Sequence, residues 1–438
     1  MTMLQHIKPL FRWRWRVIAW WHGVKARLRV PAARLWRPLL FRTTFIAVCG
    51  SAGKTTTKEL LGAILERHFS IARTSGTWGG MRHGGVPGTL LSVRPWHRFA
   101  IIEAGIESRG QMAQMGALIR PDIVLMLAVK ECHIMEFKTL EAVAAEKSEM
   151  LKQLGSTGVA ILNGDDARVD AMAHSGDFRV VRFGRSGHDI EVRDAHSRWP
   201  QRLQLTLAEG GRTTAVRSRL VGTHWISTIL AAVTTARQCG LSMEDIVPAI
   251  EQFEPFWARM QPLTLANGVT FLRDEWNGSY DTFIEALKVL NDAAARRKIA
   301  VISDYSDSHN SSKPRQKVRR IARQTAPCVD LMICVGERAE HGRQAAIEAG
   351  LSEECAFEAY DTKEASEILQ RIQQAGDLVL LKGRTSHHLS RIYLAQLGTV
   401  ACNLQTCPRQ YLCDRCGELG FGWEPKYDGL MAPPEVIV

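Results

Sequence analysis

Short apolar runs alternate with helix-like stretches along most of this chain. The run "TFIAVCG" (44–50) is apolar and β-branched, ends in a glycine turn, and passes into "KTTTKELLGAILERHF" (54–69), where apolar residues recur at helical spacing. Further apolar runs follow at "FAIIEAG" (99–105), "DIVLMLAV" (122–129) and "GVAILNGD" (158–165), several of them separated by helical patterns. Strands alternating with helices predict an α/β fold with a mostly parallel sheet covered on both faces. Residues 178–221 read differently: short polar-alternating strands with turns at Gly187 and Gly210–Gly211 predict an antiparallel insertion or a small flanking sheet. A second α/β unit, Rossmann-like, starts near Arg259, with strands at "KIAVISD" (298–304), "LMICVG" (331–336) and "GDLVLLKG" (376–383). The polar stretch "SDSHNSSKPRQK" (306–317) reads as an exposed loop. The expected division is an arm at 1–42, a central domain at 43–258, a C-terminal domain at 259–398 and a tail at 399–438.

Length agrees, since 438 residues leave room for two or three domains of roughly 100–200 residues each. No apolar run approaches the ~18 residues a membrane-spanning helix needs, so a soluble or peripheral protein is expected. The net charge of +11 has a local origin. Residues 1–42 hold ten cations (Lys8, Arg12, Arg14, Arg16, Lys25, Arg27, Arg29, Arg34, Arg37 and Arg42) and no Asp or Glu. Subtracting those ten from the 56 Lys and Arg leaves 46, against 45 acidic residues, so the body is near neutral and does not read as nucleic-acid binding.

The arm interleaves Trp with Arg in "FRWRWRVIAWWHGVKARLRVPAARLWRPLLFR" (11–42), and Pro31 is expected to divide two helical pieces. One reading is peripheral membrane contact, with Trp at the interface and Arg on anionic headgroups. The other is a helix pair packed on the body with its arginines in solvent. An Arg-rich, acid-free N-terminus also resembles an organelle transit peptide. Of ten cysteines, six are scattered and four crowd the tail: Cys402, Cys407, Cys413 and Cys416. There is no secretory signal with an apolar core, so reduced thiols in a cytoplasm are expected. The tail's "CNLQTCPRQYLCDRCGELG" has Cys-x2-Cys-Gly spacing that suits tetrahedral Zn²⁺, with an Fe–S cluster or bare thiols as alternatives.

The chemistry starts at "GSAGKTTT" (50–57). A strand, a tight glycine turn and a helix start aim several backbone N–H groups at one point, and those donors with the helix dipole favour phosphate. Gly50 and Gly53 permit the turn, Ser51 and Thr56 line it, Lys54 would neutralise β/γ phosphates, and Thr55 could hold Mg²⁺. The longer GxxxxGK[ST] form fails because residue 48 is Val.

This short loop resembles that of the Mur ligase family, most closely the branch that adds D-alanyl-D-alanine to the peptidoglycan precursor. The likeness continues in order through "SGTWGGMRHGGVPGTLL" (75–91), "AIIEAGIESRGQM" (100–112), "RPDIVLMLAVKECHIMEFKTLEAVAAEKSEML" (120–151), "AILNGDD" (160–166), "FWARMQP" (256–262), "RDEWNGSYDT" (273–282) and "GDLVLLKGRTSHHLSRI" (376–392). Singly these are weak motifs; their shared order over 43–398 is specific.

The resemblance implies an ATP-dependent ligase. A carboxylate attacks the γ-phosphate, and an amine then displaces phosphate from the acyl phosphate, chemistry that needs alignment and charge neutralisation. On this reading Lys54 stabilises the transferring phosphate, Thr55 and Glu103 bind one Mg²⁺, His133 helps hold a second, and Lys147 is the lysine that CO₂ carbamylates. Arg259 reaches ATP phosphate, Asp274 and Asn277 lie near the nucleotide, and Lys382 lies near the acceptor and amine. Read without the family, Lys147 is a lysine on an amphipathic helix, Glu103 a salt-bridging carboxylate, His133 a loop histidine, and the rest surface charges.

Three departures shape the functional expectation. The family's N-terminal UDP-sugar-binding domain has no counterpart, so an acceptor other than a UDP-MurNAc peptide is expected: a small-molecule or lipid-linked carboxylate, joined to an amine. The family's G-x-H-N-x-x-N helix reads "GTHWISTILAA" (222–232), keeping Gly222 and His224 but placing Trp225 and Thr228 where asparagines stand. The cysteine tail is the third. A degenerate nucleotide-binding scaffold acting through arm and tail is the alternative, and a nucleic-acid-associated ATPase a weaker one.

Overall fold

The computed structural model describes residues 28–77, 79–81, 85–130, 134–276, 278–305, 314–402, 413–416 and 419. The chain forms two compact units: 1–130 with 136–191 and 227–249, and 131–135 with 192–226 and 250–438.

In the first unit, β1 (Thr44–Cys49), β2 (Ile71–Arg73), β3 (Phe99–Glu103), β4 (Ile123–Met126), β5 (Val159–Asn163) and β6 (Arg179–Gly184) follow the order β2-β3-β1-β4-β5-β6, and the first two residues of β7 (Ile190–His196) pair with β6 before the chain enters the second unit. Every recorded pairing among them is parallel. All of β3 and β4, and all of β1 beyond Thr44, are buried, as expected of strands covered on both faces. The chain order reverses beside β1, whose neighbours are β3 and β4. Ligands bind outside the C-terminal ends of strands at such a point.

The α/β expectation holds, with one correction in residues 178–221. β6 is a parallel member of the main sheet, reached from β5 through the short helical turns Ala167–Asp170 and Ala171–His174. Its alternation arises because Val181 and Phe183 turn inward while Arg179 stays exposed. The antiparallel pair here is β8 (Gln204–Glu209) with β9 (Arg212–Arg217), which belongs to the second unit. They turn on Gly210 and Gly211, at φ 54° and 82°, the left-handed pair that a two-residue hairpin needs.

The arm also differs from expectation. Residues 28–36 are helical straight through Pro31, so no break falls there. Ala33 and Leu40 join the core of the first unit. Trp36 Nε1 donates to the Val93 carbonyl at 2.9 Å. Arg37 donates to the Ile119 and Arg120 carbonyls at 2.6 and 2.8 Å, at the C-terminal end of helix Gln111–Ile119. Its guanidinium sits 3.5 Å from the Phe45 ring centroid, and burial draws its pKa down to about 10.

The second unit adds a sheet in the order β10 (Gln261–Thr264), β11 (Thr270–Arg273), β15 (Asp377–Lys382), β12 (Arg297–Ile302), β13 (Leu331–Val335), β14 (Ala356–Ala359). Only β10 is antiparallel to its neighbour. β15 is central and buried at all six positions, which carries Lys382 into the interior.

Arg37→Met should remove both carbonyl bonds and the ring contact while keeping the aliphatic stem. The expected loss is about 1–2 kcal/mol of unfolding free energy, discounted for partial exposure. Urea denaturation checks it; an unchanged midpoint would show that the arm's packing adds nothing.

Candidate active site

The phosphate loop hangs between the ends of β1 and β4. Gly50 has φ 142°, and a Cβ there would meet Leu127 Cβ at 2.9 Å and Ala128 N at 3.2 Å. The Ser51 N–H donates to the Ala128 carbonyl at 2.7 Å, and its hydroxyl to the Lys130 carbonyl at 3.3 Å. Gly53, at φ 81°, opens helix α1 (Lys54–Leu65) without a side-chain cap. The first N–H groups of α1 are therefore not taken by a capping side chain, the arrangement that receives an anion elsewhere. A Cβ on Gly53 would lie 3.4 Å from Thr228 Oγ1, so Thr228 borders the loop.

Two ammonium groups converge on one carbonyl. Lys54 Nζ donates to Gly50 O at 2.9 Å, and Lys147 Nζ to the same oxygen at 3.1 Å. Lys147 comes from the last turn of helix α2 (Leu140–Ser148) and is 3% exposed. A lysine so buried is no solvated helix face. Beside them, Thr55 Oγ1 donates to Glu103 Oε1 at 3.1 Å. Thr74 Oγ1 accepts from the Glu103 N–H at 3.0 Å and holds the strand end. Glu103 Oε2 is buried with no hydrogen-bond partner among the described residues. The Oγ1 atoms of Thr56 and Thr57 are in the same condition.

A buried carboxylate oxygen that takes no hydrogen bond among the described residues, beside a threonine hydroxyl and 3.8 Å from Lys58 Nζ, leaves lone pairs that fit a hard cation such as Mg²⁺. Glu103→Gln should therefore weaken Mg²⁺-dependent ATP binding about tenfold or more and leave Mg²⁺-free binding unchanged. Calorimetric titration with and without the metal measures this; equal losses in both would remove Glu103 from cation binding.

Lys58 was not anticipated. It is fully buried, donates to the Thr74 carbonyl at 2.6 Å and to Gly76 O, pairs with Glu59 at 2.8 Å, and lies 3.8 Å from Glu103 Oε2. Its sequence signal is slight: it follows Lys54 by four residues, on the same side of α1.

In the second unit Arg259, Asp274 and Lys382 meet around one ion pair. Lys382 Nζ binds Asp274 Oδ2, and Asp274 Oδ1 accepts from the Met260 N–H at 2.9 Å. Lys382 also contacts Thr282 Oγ1 at 3.3 Å. Burial pushes the Asp274 carboxyl up and the Lys382 ammonium down, and each partner's charge opposes the shift. Arg259 is close enough to act on both charges. His224 folds back on Gly222 and stacks on Trp225, with ring centroids 4.6 Å apart. His133, Asn277 and Cys407 lie outside the described residues.

The zinc expectation finds no support in the described tail. Among the described residues no three His, Cys, Asp or Glu side chains come together to hold a metal ion. Cys402, Cys413 and Cys416 share a small apolar cluster with Leu394 and Leu419. Cys413 Sγ faces His388 Nδ1 at 3.3 Å and accepts from Arg391 Nε at 3.4 Å.

Known proteins bear on this geometry. Residues 48–236 match the Mur ligase middle domain, and 258–385 match the Mur ligase, glutamate ligase domain. The UDP-N-acetylmuramoyl-tripeptide–D-alanyl-D-alanine ligase of Mycobacterium tuberculosis (strain CDC 1551 / Oshkosh) is 26% identical over 381 residues, 82% of this chain and 74% of that protein. The enzyme of the same name from Mycobacterium bovis (strain ATCC BAA-935 / AF2122/97) is 30% identical over 271 residues, 60% of this chain and 53% of that protein. The chain thus aligns with between half and three quarters of these relatives' lengths. A crystal structure of MurF from Acinetobacter baumannii superposes with a TM-score of 0.73 at 25% identity, covering 83% of this chain and 78% of that one.

Two α/β units with a lysine-lined phosphate loop, set among such relatives, define an ATP-dependent amide ligase that releases ADP and phosphate. The chain belongs to the Mur ligase family.

Proposed function

We propose that this chain activates a carboxylate as an acyl phosphate and passes the acyl group to an amine. The observation that carries this reading is the convergence of Lys54 and Lys147 on Gly50 O, beside the buried Thr55–Glu103 pair. Lys54 would turn from that carbonyl to the transferring phosphoryl group, while Gly50, Ser51, Gly53, Thr55 and Thr56 hold the phosphates through the loop. Thr55 and Glu103 would hold Mg²⁺ and His133 a second ion; the metal supplies charge neutralisation on the phosphate oxygens. Lys147 would carry a carbamate, which turns a cation into an anion; its burial against the loop supports a role beyond solvation. Arg259, Asp274 and Asn277 serve the nucleotide, with His224 and Thr228 at the altered helix, and Lys382 serves acceptor and amine.

For the acceptor, we propose a carboxylate presented at a membrane surface in place of the UDP-linked tripeptide named for the relatives. Leu28, Leu35, Leu39 and Phe41 are 63%, 78%, 58% and 81% exposed, within an arm that carries cations and no acidic residue. Exposed apolar side chains on the same segment as the exposed cations Arg34 and Arg42 suit an anionic bilayer interface. Among the described residues no helix is long and apolar enough to cross a membrane.

Purified protein with ATP, Mg²⁺ and bicarbonate should release ADP and phosphate only when a lipid extract and an amine source are added. Lys54→Ala should abolish that release. Turnover with UDP-N-acetylmuramoyl-tripeptide and D-alanyl-D-alanine would overturn the acceptor proposal. Nucleotide binding without turnover on any substrate would favour the scaffold alternative. The protein should also sediment with vesicles containing anionic lipid, and the double change Leu35→Asp and Phe41→Asp should release it at equal salt; undiminished sedimentation would remove the arm from membrane contact.

A further inference from the structure

The tail returns to the second unit at one buried charge. Arg273, the last residue of β11, is 2% exposed. Its Nη1 and Nη2 engage both carboxylate oxygens of Asp414, Nη2 at 2.9 Å. Its Nε and Nη2 also bind Glu275 Oε1 at 2.8 and 2.5 Å, and its guanidinium lies 4.8 Å from the Tyr393 ring centroid. Asp414, 6% exposed, is thus the second carboxylate on one guanidinium, brought from 141 residues away. Beside it, Cys413 packs on His388 and Arg391, and His388 holds the left-handed φ of 51° that costs a non-glycine residue. Two adjacent tail residues therefore grip both 273–275 and 388–391.

Stability is a poor reason for this arrangement. Three buried charges lose hydration, and replacing such a group with packed apolar side chains is often neutral or stabilising. Arg273 would remain paired with Glu275 if Asp414 lost its charge. What Asp414 adds is a fork-to-fork bond that sets the guanidinium plane, one residue before Asp274, whose carboxylate holds Lys382. Glu275 on the other side of Asp274 is held by the same guanidinium.

We infer that Asp414 is a positioning residue for the nucleotide side of the site: by orienting Arg273 and Glu275 it sets the backbone that presents Asp274 and, through it, Lys382. This rests on the ligase reading, which places Asp274 near the nucleotide. It gives the tail a function in the ligase itself, through an aspartate that sits between two cysteines.

The test is calorimetric titration of the full-length protein with two probes in Mg²⁺, the ATP analogue AMP-PNP and inorganic tripolyphosphate. Tripolyphosphate lacks the adenosine that the ligase reading sets beside Asp274 and reports only the phosphate contacts, those of the loop and of Arg259. Asp414→Asn should weaken AMP-PNP binding about 5- to 50-fold and leave tripolyphosphate affinity unchanged; Asp414→Glu, which keeps the carboxylate, should recover part of the loss. Equal AMP-PNP affinity in wild type and Asp414→Asn would overturn the inference and leave the ligase reading standing. Parallel loss of both probes with a lowered melting temperature would also overturn it, by showing general destabilisation. Failure of the wild type to bind AMP-PNP would overturn the ligase reading and this inference with it.

Discussion

The Gly50 carbonyl, with Lys54 and Lys147 both donating to it, is the constraint on which the first unit's chemistry depends. Two cations drawn toward one neutral oxygen repel each other, and burial of Lys147 deepens the cost because the surroundings screen poorly. An anion between them relieves the repulsion. The N-terminus of α1 aims at the same region, so loop, helix and Lys54 favour phosphate together, while a carbamate on Lys147 would end the repulsion from its own side. Gly50 can offer its carbonyl there only because it lacks a Cβ, which would strike Leu127. The parallel sheet sets the scene: β1 ends beside β3 and β4, so the loop, Glu103 and Leu127 meet at one sheet edge.

Much of this was legible in the sequence because its signals are local. A buried parallel strand writes itself as an unbroken apolar run, and the loop writes itself as glycines followed by Lys-Thr. Glu103 was readable as a carboxylate at the end of such a run. The parts that could not be read depend on contacts distant in the chain. β6 reads as part of an antiparallel insertion because polar and apolar residues alternate along it; its direction is set by the crossover from β5. Arg37 looks like one more cation of a basic arm, yet it binds carbonyls more than 80 residues away. Lys58 and Arg273 are charged residues that composition assigns to the surface, and both are buried by partners on other elements.

The second unit shows how a family framework is altered. Its Asp274–Lys382 pair sits where β11 and β15 run side by side, Asp274 one residue beyond β11 and Lys382 the last residue of β15. Thr228 stands at the phosphate loop where an asparagine is expected, and a hydroxyl can satisfy one neighbour where an amide could satisfy several. The tail's cysteines form an apolar patch against helix Ser390–Leu397 in the described residues. The tail therefore docks through Cys413 and Asp414, by a thiol contact and a buried charge.

The most direct measurement is a crystal structure with Mg²⁺ and AMP-PNP. If the loop is a site of phosphoryl transfer, Lys54 Nζ will have left Gly50 O for the β/γ phosphates, with the backbone N–H groups of residues 52–54 around them. Phosphates bound away from the loop, with Lys54 still on Gly50 O at saturating analogue, would contradict the account.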